Sequence, residues 1–225
     1  MSRVVVAGAS GHGKKVADAL RALGHTVVGY VDTHKPAGTV AGRDQVLGTE
    51  AELADLITRL GVEAAVVGIG DNFARLTVAA RIAAAAPGLP FLDVVHPAAH
   101  VAPGTGFGGG VVVMAGALVS VDCTLGAHAL VDTGASLDHD SVMGDGASLA
   151  PGAVVGGGTT IGACTAVGIG ATVIHGRSIG DHTVVGAGAV VLRDLPGNVV
   201  AYGVPAAVAR ARAVGEAYLQ RGSAG

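Results

Sequence analysis

The sequence has almost no bulky aromatic side chains: Trp is absent, and aromatic residues make up 3% of the chain. A core built from large rings is therefore excluded, because such a core depends on the area that aromatic side chains bury. Glycine is abundant instead, with 38 residues, and Val and Ala are frequent. This composition favours thin layers of backbone packed around small apolar side chains.

Cysteine and excess positive charge are also scarce. Cys123 and Cys164 lack the spacing of a metal site, and two cysteines imply no disulfide framework. The net charge of −3 gives no electrostatic reason to bind nucleic acid or an anionic membrane. Residues 101–121 carry no charge, but Pro103 and several glycines interrupt them, which argues against a membrane helix. No signal-peptide pattern precedes the first strand-like run, so a cytoplasmic location is the expectation.

A six-residue repeat runs through residues 101–191. All 16 positions reached from Val101 in steps of six are apolar, and Gly follows many of them. A small residue lies four positions after most of the later ones, with Arg177 as the clear lapse. A period of six fits neither an α-helix nor a plain strand. The repeat predicts a solenoid of short strands, in which three hexads close an 18-residue triangular coil with aliphatic side chains inside.

Residues 1–95 have the pattern of a small parallel α/β domain. Strand-like and helix-like segments alternate there, which is typical of a parallel sheet covered by helices. We place the boundary near His96, so that the repeat domain spans residues 96–225 and ends in a short helix from Pro205 to about Arg221. The pattern predicts strands at residues 3–7, 26–31, 64–69 and 91–95, and helices at about 14–23, 50–60 and 72–86.

A glycine-rich turn, residues 8–13, follows the first predicted strand, and Asp32 ends the second, as in a Rossmann fingerprint. Glycines let the backbone approach a phosphate, and a helix N-terminus stabilises its charge. The domain is too small for a complete dinucleotide fold, so we interpret it as half a Rossmann fold that holds one nucleotide diphosphate. Ser10 and His12 are predicted to contact the phosphates, and Asp32 the ribose or base. The alternatives are an empty strand-to-helix turn and, less favoured, a nicotinamide oxidoreductase.

Two histidines occupy the same slot of the repeat, with a glycine between them. His139 and His175 are 36 residues apart, and Gly157 stands 18 residues from each. A base beside bare backbone suits acyl transfer, because the histidine removes a proton while a backbone N–H stabilises the thioester oxyanion. Asp140 can assist His139 only if the chain turns a corner there, since neighbours on a strand point to opposite faces. Exposed surface positions are the alternative for both histidines.

Four motifs follow one another along nearly the whole chain: residues 8–14 (GASGHGK), 68–72 (GIGDN) with Arg75, 131–140 (VDTGASLDHD) and 201–206 (AYGVPA). Together with the six-residue repeat, they resemble the bacterial sugar acetyltransferases of the left-handed β-helix hexapeptide-repeat class, which include sialic acid O-acetyltransferases and N-acetyltransferases of nucleotide-linked 4-amino sugars. The resemblance implies homotrimers with acetyl-CoA in a groove between neighbouring β-helices.

The resemblance, taken with the arguments above, implies roles for individual residues. His139 is the general base, Asp140 its acidic partner and Gly157 the oxyanion donor. The residues predicted to bind the nucleotide sugar are Ser10, Gly11, His12, Gly13, Asp32, Gly70, Asn72 and Asp132. Those predicted to line the acetyl-CoA groove are Gly157, Ile169, Ala187, Val204 and Pro205.

Two positions depart from the pattern of these relatives. Asp132 stands where Asn is common, and its extra carboxylate can raise the basicity of His139 or bind an amine cation. Ser148 stands where some members carry a second histidine, so a contact to the acetyl carbonyl from there has to come from a hydroxyl. A metal site like that of the γ-class carbonic anhydrases, which share this β-helix, needs a histidine where Gly144 or Gly180 stands, so no metal is predicted.

The sequence thus predicts an acetyl-CoA-dependent N-acetyltransferase that acts on the 4-amino group of a nucleotide-linked amino-deoxy sugar, by direct transfer with His139 as the base. UDP- and GDP-linked sugars both stay open. The alternative is O-acetylation of sialic acid or another sugar hydroxyl with the same base. A second alternative, from a different class, is a non-catalytic trimeric scaffold that binds a nucleotide sugar.

Overall fold

A parallel sheet with helices on both faces forms the first part of the structure, a computed structural model that describes residues 1–219. The strand order is β3-β4-β2-β1-β5, and all pairs are parallel except the β3–β4 hairpin. The strands are β1 (Arg3–Ala7), β2 (Thr26–Val31), β3 (Val40–Ala41), β4 (Asp44–Gly48) and β5 (Ala64–Val67). The helices are α1 (Gly11–Ala22), α2 (Leu53–Leu60), which follows a 3₁₀ turn at Glu50–Glu52, and α3 (Asn72–Ala85).

Strand β1 is central because its side chains are apolar on both faces. Val4 and Val6 pack into the cluster that contains Leu20 of α1, whereas Val5 packs into the cluster that contains Leu56 of α2. Successive side chains of a strand point to opposite faces, so a run of valines is buried on both sides. The predicted helices and first three strands are confirmed. The β3–β4 hairpin was not predicted.

The predicted fourth strand of this sheet, residues 91–95, is wrong. Phe91 makes a single bridge to Ala65, and the chain then leaves the sheet. Val94–Val95 is strand β6, which pairs with Val112–Val113 of the repeat domain. The apolar run is therefore divided between two sheets, a division that hydrophobicity alone does not reveal.

The six-residue repeat folds as the predicted left-handed parallel β-helix. Each of the 16 apolar positions is the second residue of a two-residue strand, and nearly all are buried. Strands 18 residues apart pair in parallel, which makes three faces. The first face contains β6, β9 (Val112–Val113), β12 (Leu130–Val131), β15 (Ser148–Leu149), β18 (Ala166–Val167), β21 (Val184–Val185) and β23 (Val199–Tyr202). The second contains β7 (His100–Val101), β10 (Leu118–Val119), β13 (Ser136–Leu137), β16 (Val154–Val155), β19 (Thr172–Val173) and β22 (Val190–Val191). The third contains β8 (Gly106–Phe107), β11 (Thr124–Leu125), β14 (Val142–Met143), β17 (Thr160–Ile161) and β20 (Ser178–Ile179).

The predicted C-terminal helix is wrong within the described residues, and its last positions, from residue 220 onward, lie outside them. Strand β24 (Ala207–Ala211) pairs antiparallel with β23. The segment Ala-Val-Ala-Arg-Ala has high helix propensity, but β23 is the last strand of the first face and offers unpaired backbone groups. Pairing with that edge overrides the local preference. Among residues 1–219, no helix has the length and hydropathy needed to cross a bilayer.

Arg75 of α3 joins the two parts of the structure. Its side chain is buried, and all five guanidinium N–H groups donate hydrogen bonds. The acceptors from the β-helix are the carbonyls of His128 and Gly146, each at 2.9 Å, on the corner between the third and first faces. The remaining acceptors are the carbonyls of Ile69 and Gly70 and Oδ1 of Asn72. Arg75 therefore joins the α/β domain to the β-helix through hydrogen bonds, and no carboxylate among residues 1–219 forms an ion pair with it.

Candidate active site

His139 lies on the corner between the second and third faces, just after β13. The next residue, Asp140, has a φ of 56°, so the chain turns into the left-handed region there. That turn brings Oδ2 of Asp140 to 2.7 Å from Nδ1 of His139. Nδ1–H therefore donates to the carboxylate, and Nε2 is the nitrogen left to accept a proton. The corner that the sequence argument requires for this pair is present.

Gly157 lies directly against the His139 ring. A Cβ at this position would stand 2.6 Å from both Cε1 and Nε2 of His139, so any larger residue has to displace the ring. The N–H of Gly158 donates to the carbonyl of His139 at 2.7 Å, which holds the two coils in register. The Gly157 N–H has no acceptor among residues 1–219. A base and a free backbone donor thus adjoin, as the 18-residue spacing predicts.

Two carboxylates make His139 more basic. The hydrogen bond to Asp140 raises the pKa of His139, and the negative charge of Asp138 adds to the effect. The ring is exposed to about half of its area, so a substrate can reach it. A histidine that is neutral at working pH and has a raised pKa is a stronger base for proton removal.

We expect Asp140→Asn to move the acid limb of the kcat/KM profile to lower pH. The amide removes the charged acceptor that raises the pKa of His139, so the ring is deprotonated at lower pH but is a weaker base. The plateau rate should fall about tenfold. The measurement is kcat/KM as a function of pH. Asp122→Asn is the matched control, because Asp122 lies one coil earlier with the same left-handed backbone; an unshifted limb in Asp140→Asn would contradict the pairing.

The glycine-rich turn lies between two cavities, because Gly8 and Ser10 border one and His12 borders the other. Gly13 packs so closely on Gly8 that a Cβ would stand 1.9 Å from the Gly8 carbonyl oxygen. Ser10 caps α1, and its Oγ accepts the Gly13 N–H at 3.4 Å. This turn brings the N-terminus of α1 and its free backbone donors between the cavities.

The first cavity, called here the Asp32 cavity, has a volume of about 370 Å³ and is bordered by Gly8, Ser10, Asp32, Glu50, Phe73 and Arg81 among others. Asp32 is fixed by two backbone donors. Its Oδ2 accepts the N–H of Ala9 at 2.9 Å, and its Oδ1 accepts the N–H of His34 at 2.8 Å. Each oxygen keeps a second lone pair for a ligand hydroxyl. Asp32 thus borders this cavity in a fixed orientation, and its predicted contact with a ribose or base stays a prediction.

The second cavity, called here the interdomain cavity, lies between the α/β domain and the first face and has a volume of about 450 Å³. Its lining includes His12, Gly70, Asp132, Ser148, Ile169 and Ala187. The structure thus brings together six residues that the sequence analysis singled out for substrate, acetyl carbonyl or acetyl-CoA. His12 lies here, on the opposite side of the turn from the cavity that Ser10 borders.

Charge in the interdomain cavity is set by Asp132 and Lys15. Lys15 Nζ is 2.5 Å from Asp132 Oδ1. Burial alone raises the pKa of Asp132, but the hydrogen bonds from Lys15 and Thr133 and the nearby positive charge lower it overall. Burial lowers the pKa of His12 to about 4, against the opposing charge of Asp132, so His12 is neutral at neutral pH. Its Nε2 is buried and has no partner in the described part of the chain.

Eight predicted site residues line neither cavity: Gly11, Gly13, Asn72, His139, Asp140, Gly157, Val204 and Pro205. Asn72 is buried, and its Oδ1 accepts hydrogen bonds from Arg75 and from the hydroxyl of Tyr218. Val204 and Pro205 lie in the exposed turn between β23 and β24. Asn72 therefore helps to join the domains, whereas the turn is open to a ligand that runs along the end of the β-helix.

Sequence reasoning missed three residues of this region. Arg75 was noted in a motif without a role, and Lys15 and Glu50 were not singled out. Each acts through a group distant in the sequence: Lys15 reaches Asp132 117 residues away. No local pattern marks such contacts. Among the described residues, no group of three His, Cys, Asp or Glu side chains is arranged to hold a metal ion.

The chain is similar to one family model and to several proteins of known structure. The family described as "PglD N-terminal domain" matches residues 3–82. The crystal structure of a histidine mutant of GDP-perosamine N-acetyltransferase from Caulobacter crescentus, in complex with CoA and GDP-perosamine, is 39% identical. The match covers 92% of this chain and 97% of that chain, with a TM-score of 0.85. No curated protein sequence gives a significant match.

Two further structures are similar over nearly the same region. The acetyltransferase domain of PglB from Neisseria gonorrhoeae, in complex with acetyl coenzyme A, is 34% identical, with 92% and 98% of the two chains covered and a TM-score of 0.83. WeeI from Acinetobacter baumannii shares the fold at 24% identity, with coverage of 92% and 100% and a TM-score of 0.81. The chain belongs to the hexapeptide-repeat nucleotide-sugar acetyltransferases, which use acetyl-CoA as the acyl donor.

Proposed function

We propose that the protein transfers the acetyl group of acetyl-CoA to the 4-amino group of a nucleotide-linked amino-deoxy sugar. The observation that carries this proposal is the position of the glycine-rich turn between two cavities. A nucleotide sugar has the matching order of parts: nucleoside, diphosphate, sugar. The nucleoside occupies the cavity beside Asp32, the diphosphate lies at the N-terminus of α1, and the sugar enters the interdomain cavity.

The chemistry is a direct transfer. Nε2 of His139 takes a proton as the sugar amine attacks the thioester carbonyl carbon, and a C–N bond forms. The N–H of Gly157 donates to the oxygen of the tetrahedral intermediate. The C–S bond then breaks, CoA leaves as a thiolate, and the proton on His139 returns to it. Asp140 stabilises the positive ring meanwhile through the contact at 2.7 Å.

We further propose that the working unit is a homotrimer whose sites are shared between subunits. His139 lies on the corner between the second and third faces, whereas the interdomain cavity lies at the first face and its corner with the second. One chain therefore does not bring its own base to its own cavity. Large apolar side chains are exposed near His139, at Leu118, Val142 and Val154, as expected for a covered interface.

The substrate is tested by thiol release from acetyl-CoA with a panel of UDP- and GDP-linked 4-amino-4,6-dideoxy sugars and free sialic acid. Turnover with a nucleotide amino sugar alone is the expected result. Turnover with sialic acid alone would replace the proposal by O-acetylation. Binding of a nucleotide amino sugar without any turnover of the panel would favour the scaffold.

The shared site is tested by co-expressing two inactive chains with different tags. His139→Ala removes the base, and Ala187→Trp blocks the cavity that Ala187 borders. In randomly mixed trimers, about a quarter of the interfaces combine an intact base with an intact cavity, so about a quarter of the activity should return. Purified hetero-oligomers without activity, or a monomer by light scattering, would reject the shared site.

A further inference from the structure

One buried carboxylate of the Asp32 cavity has no role in the chemistry above. Glu50 is 5% exposed and begins the 3₁₀ turn before α2. Its Oε2 accepts a hydrogen bond from Oγ1 of Thr33 at 2.5 Å. No donor reaches Oε1 among residues 1–219, and Glu50 takes part in no ion pair there. Glu50 therefore borders a cavity with one carboxylate oxygen free to accept a hydrogen bond from a ligand that enters it.

Glu50 and Asp32 border different parts of the same cavity. Asp32 follows β2 and adjoins the glycine-rich turn through its bond to Ala9, so it lies on the phosphate and ribose side. Glu50 precedes α2 and borders the same cavity away from the turn. Phe73 of α3 also borders this cavity, is 40% exposed and offers an aromatic face or edge to a flat ring. Glu50 is thus placed for the base.

We infer that Glu50 selects guanine as the base of the nucleotide, and hence that the natural substrate is a GDP-linked sugar. Guanine presents two adjacent donors on one edge, N1–H and the 2-amino group, which a carboxylate accepts together. Uracil and thymine present one N–H between two carbonyl oxygens, which the carboxylate repels. The Watson–Crick edge of adenine places an acceptor nitrogen where guanine has N1–H. This inference rests on the proposed nucleotide-sugar function and adds its base.

The test is calorimetric titration of the full-length protein with nucleoside diphosphates that carry no sugar: GDP, IDP, UDP and XDP. The wild-type protein should bind GDP about 10- to 100-fold more tightly than UDP, because hydrogen bonds to a charged group are strong. IDP, which lacks the 2-amino group, should lie between them. These comparisons need no variant, so they do not depend on the folding of a mutant.

The Glu50→Gln variant gives a second measurement, its preference between GDP and XDP. A merely structural role of Glu50 would not change this preference. The amide oxygen of Gln can still accept the N1–H of either base. Its NH₂ group can donate to the 2-carbonyl of xanthine but not to the 2-amino group of guanine. The variant should lose GDP affinity about 10- to 100-fold and prefer XDP to GDP. Asp18→Asn on the exposed side of α1 makes the same charge change away from the cavity and should bind GDP as the wild type does.

The possible results distinguish a failure of guanine recognition from a failure of the proposed nucleotide-sugar function. Two results would reject guanine recognition: binding of UDP as tightly as GDP by the wild type, or an equal loss of affinity for GDP and XDP in Glu50→Gln. Neither result would contradict the nucleotide-sugar function. Failure of every nucleoside diphosphate to bind the wild-type protein would count against both.

Discussion

Replacement of His139 by alanine is expected to lower kcat by about 10²- to 10⁴-fold, the usual contribution of a positioned general base. The affinities for acetyl-CoA and for the nucleotide sugar should stay near those of the wild type, since the ring is largely exposed and lines neither cavity. Single-turnover kinetics and calorimetry of both ligands measure the two effects separately. Thermal stability should change little, because the imidazole is not part of the core.

His175→Ala is the matched control for this experiment. His175 occupies the same slot of the repeat two coils later and is exposed, yet it has no carboxylate partner within the described residues. Its loss should leave kcat nearly unchanged. If kcat of His175→Ala fell as far as that of His139→Ala, or if His139→Ala turned over normally, His139 would not be the general base.

The second large effect concerns stability. Replacement of Arg75 by methionine should lower the free energy of unfolding by about 3–5 kcal/mol, because it leaves buried carbonyls without donors. Burial lowers the pKa of Arg75, yet the guanidinium stays charged, and its five hydrogen bonds compensate for lost hydration. The substitution should weaken the contact between the two domains in particular. The α/β domain should therefore become sensitive to proteolysis before the β-helix does.

Chemical denaturation and limited proteolysis measure this effect. Arg59→Met is the control, because Arg59 makes an exposed ion pair with Asp55 one helical turn away, at 2.8 Å, and such pairs contribute little. Arg75→Lys should lie between wild type and Arg75→Met, since Lys keeps the charge but has three donors in place of five. Equal stability of Arg75→Met and Arg59→Met would show that the apolar packing of α1 on the first face suffices to dock the domains.

The sequence was sufficient for the β-helix and for the His139–Gly157 pair because both follow from a short-range rule. An aliphatic side chain every six residues defines the coil, and a step of 18 places Gly157 beside His139. The interdomain cavity could not be predicted in this way. Its walls come from segments far apart in the chain, such as His12 and Ser148, and their meeting depends on the Arg75 contact with the β-helix corner.

Local propensity also failed where an edge needed a partner. Residues 207–211 favour a helix by composition, but the backbone groups of β23 pair with them as a strand. Likewise, Val94 and Val95 continue an apolar run of the first domain but complete the first face of the second. In both places the deciding factor is an unpaired strand at the end of the β-helix.

The coil length sets which changes of chain length this enzyme tolerates. Insertion or deletion of a few residues between His139 and Gly157 shifts the glycine from beneath the ring, and any other residue there collides with it. Removal of one whole coil beyond Gly157 leaves the pair intact and shortens only the wall that Ile169 and Ala187 contribute to the interdomain cavity. Evolution can therefore lengthen or shorten the C-terminal end of the β-helix in steps of 18 residues without altering the contact between His139 and Gly157.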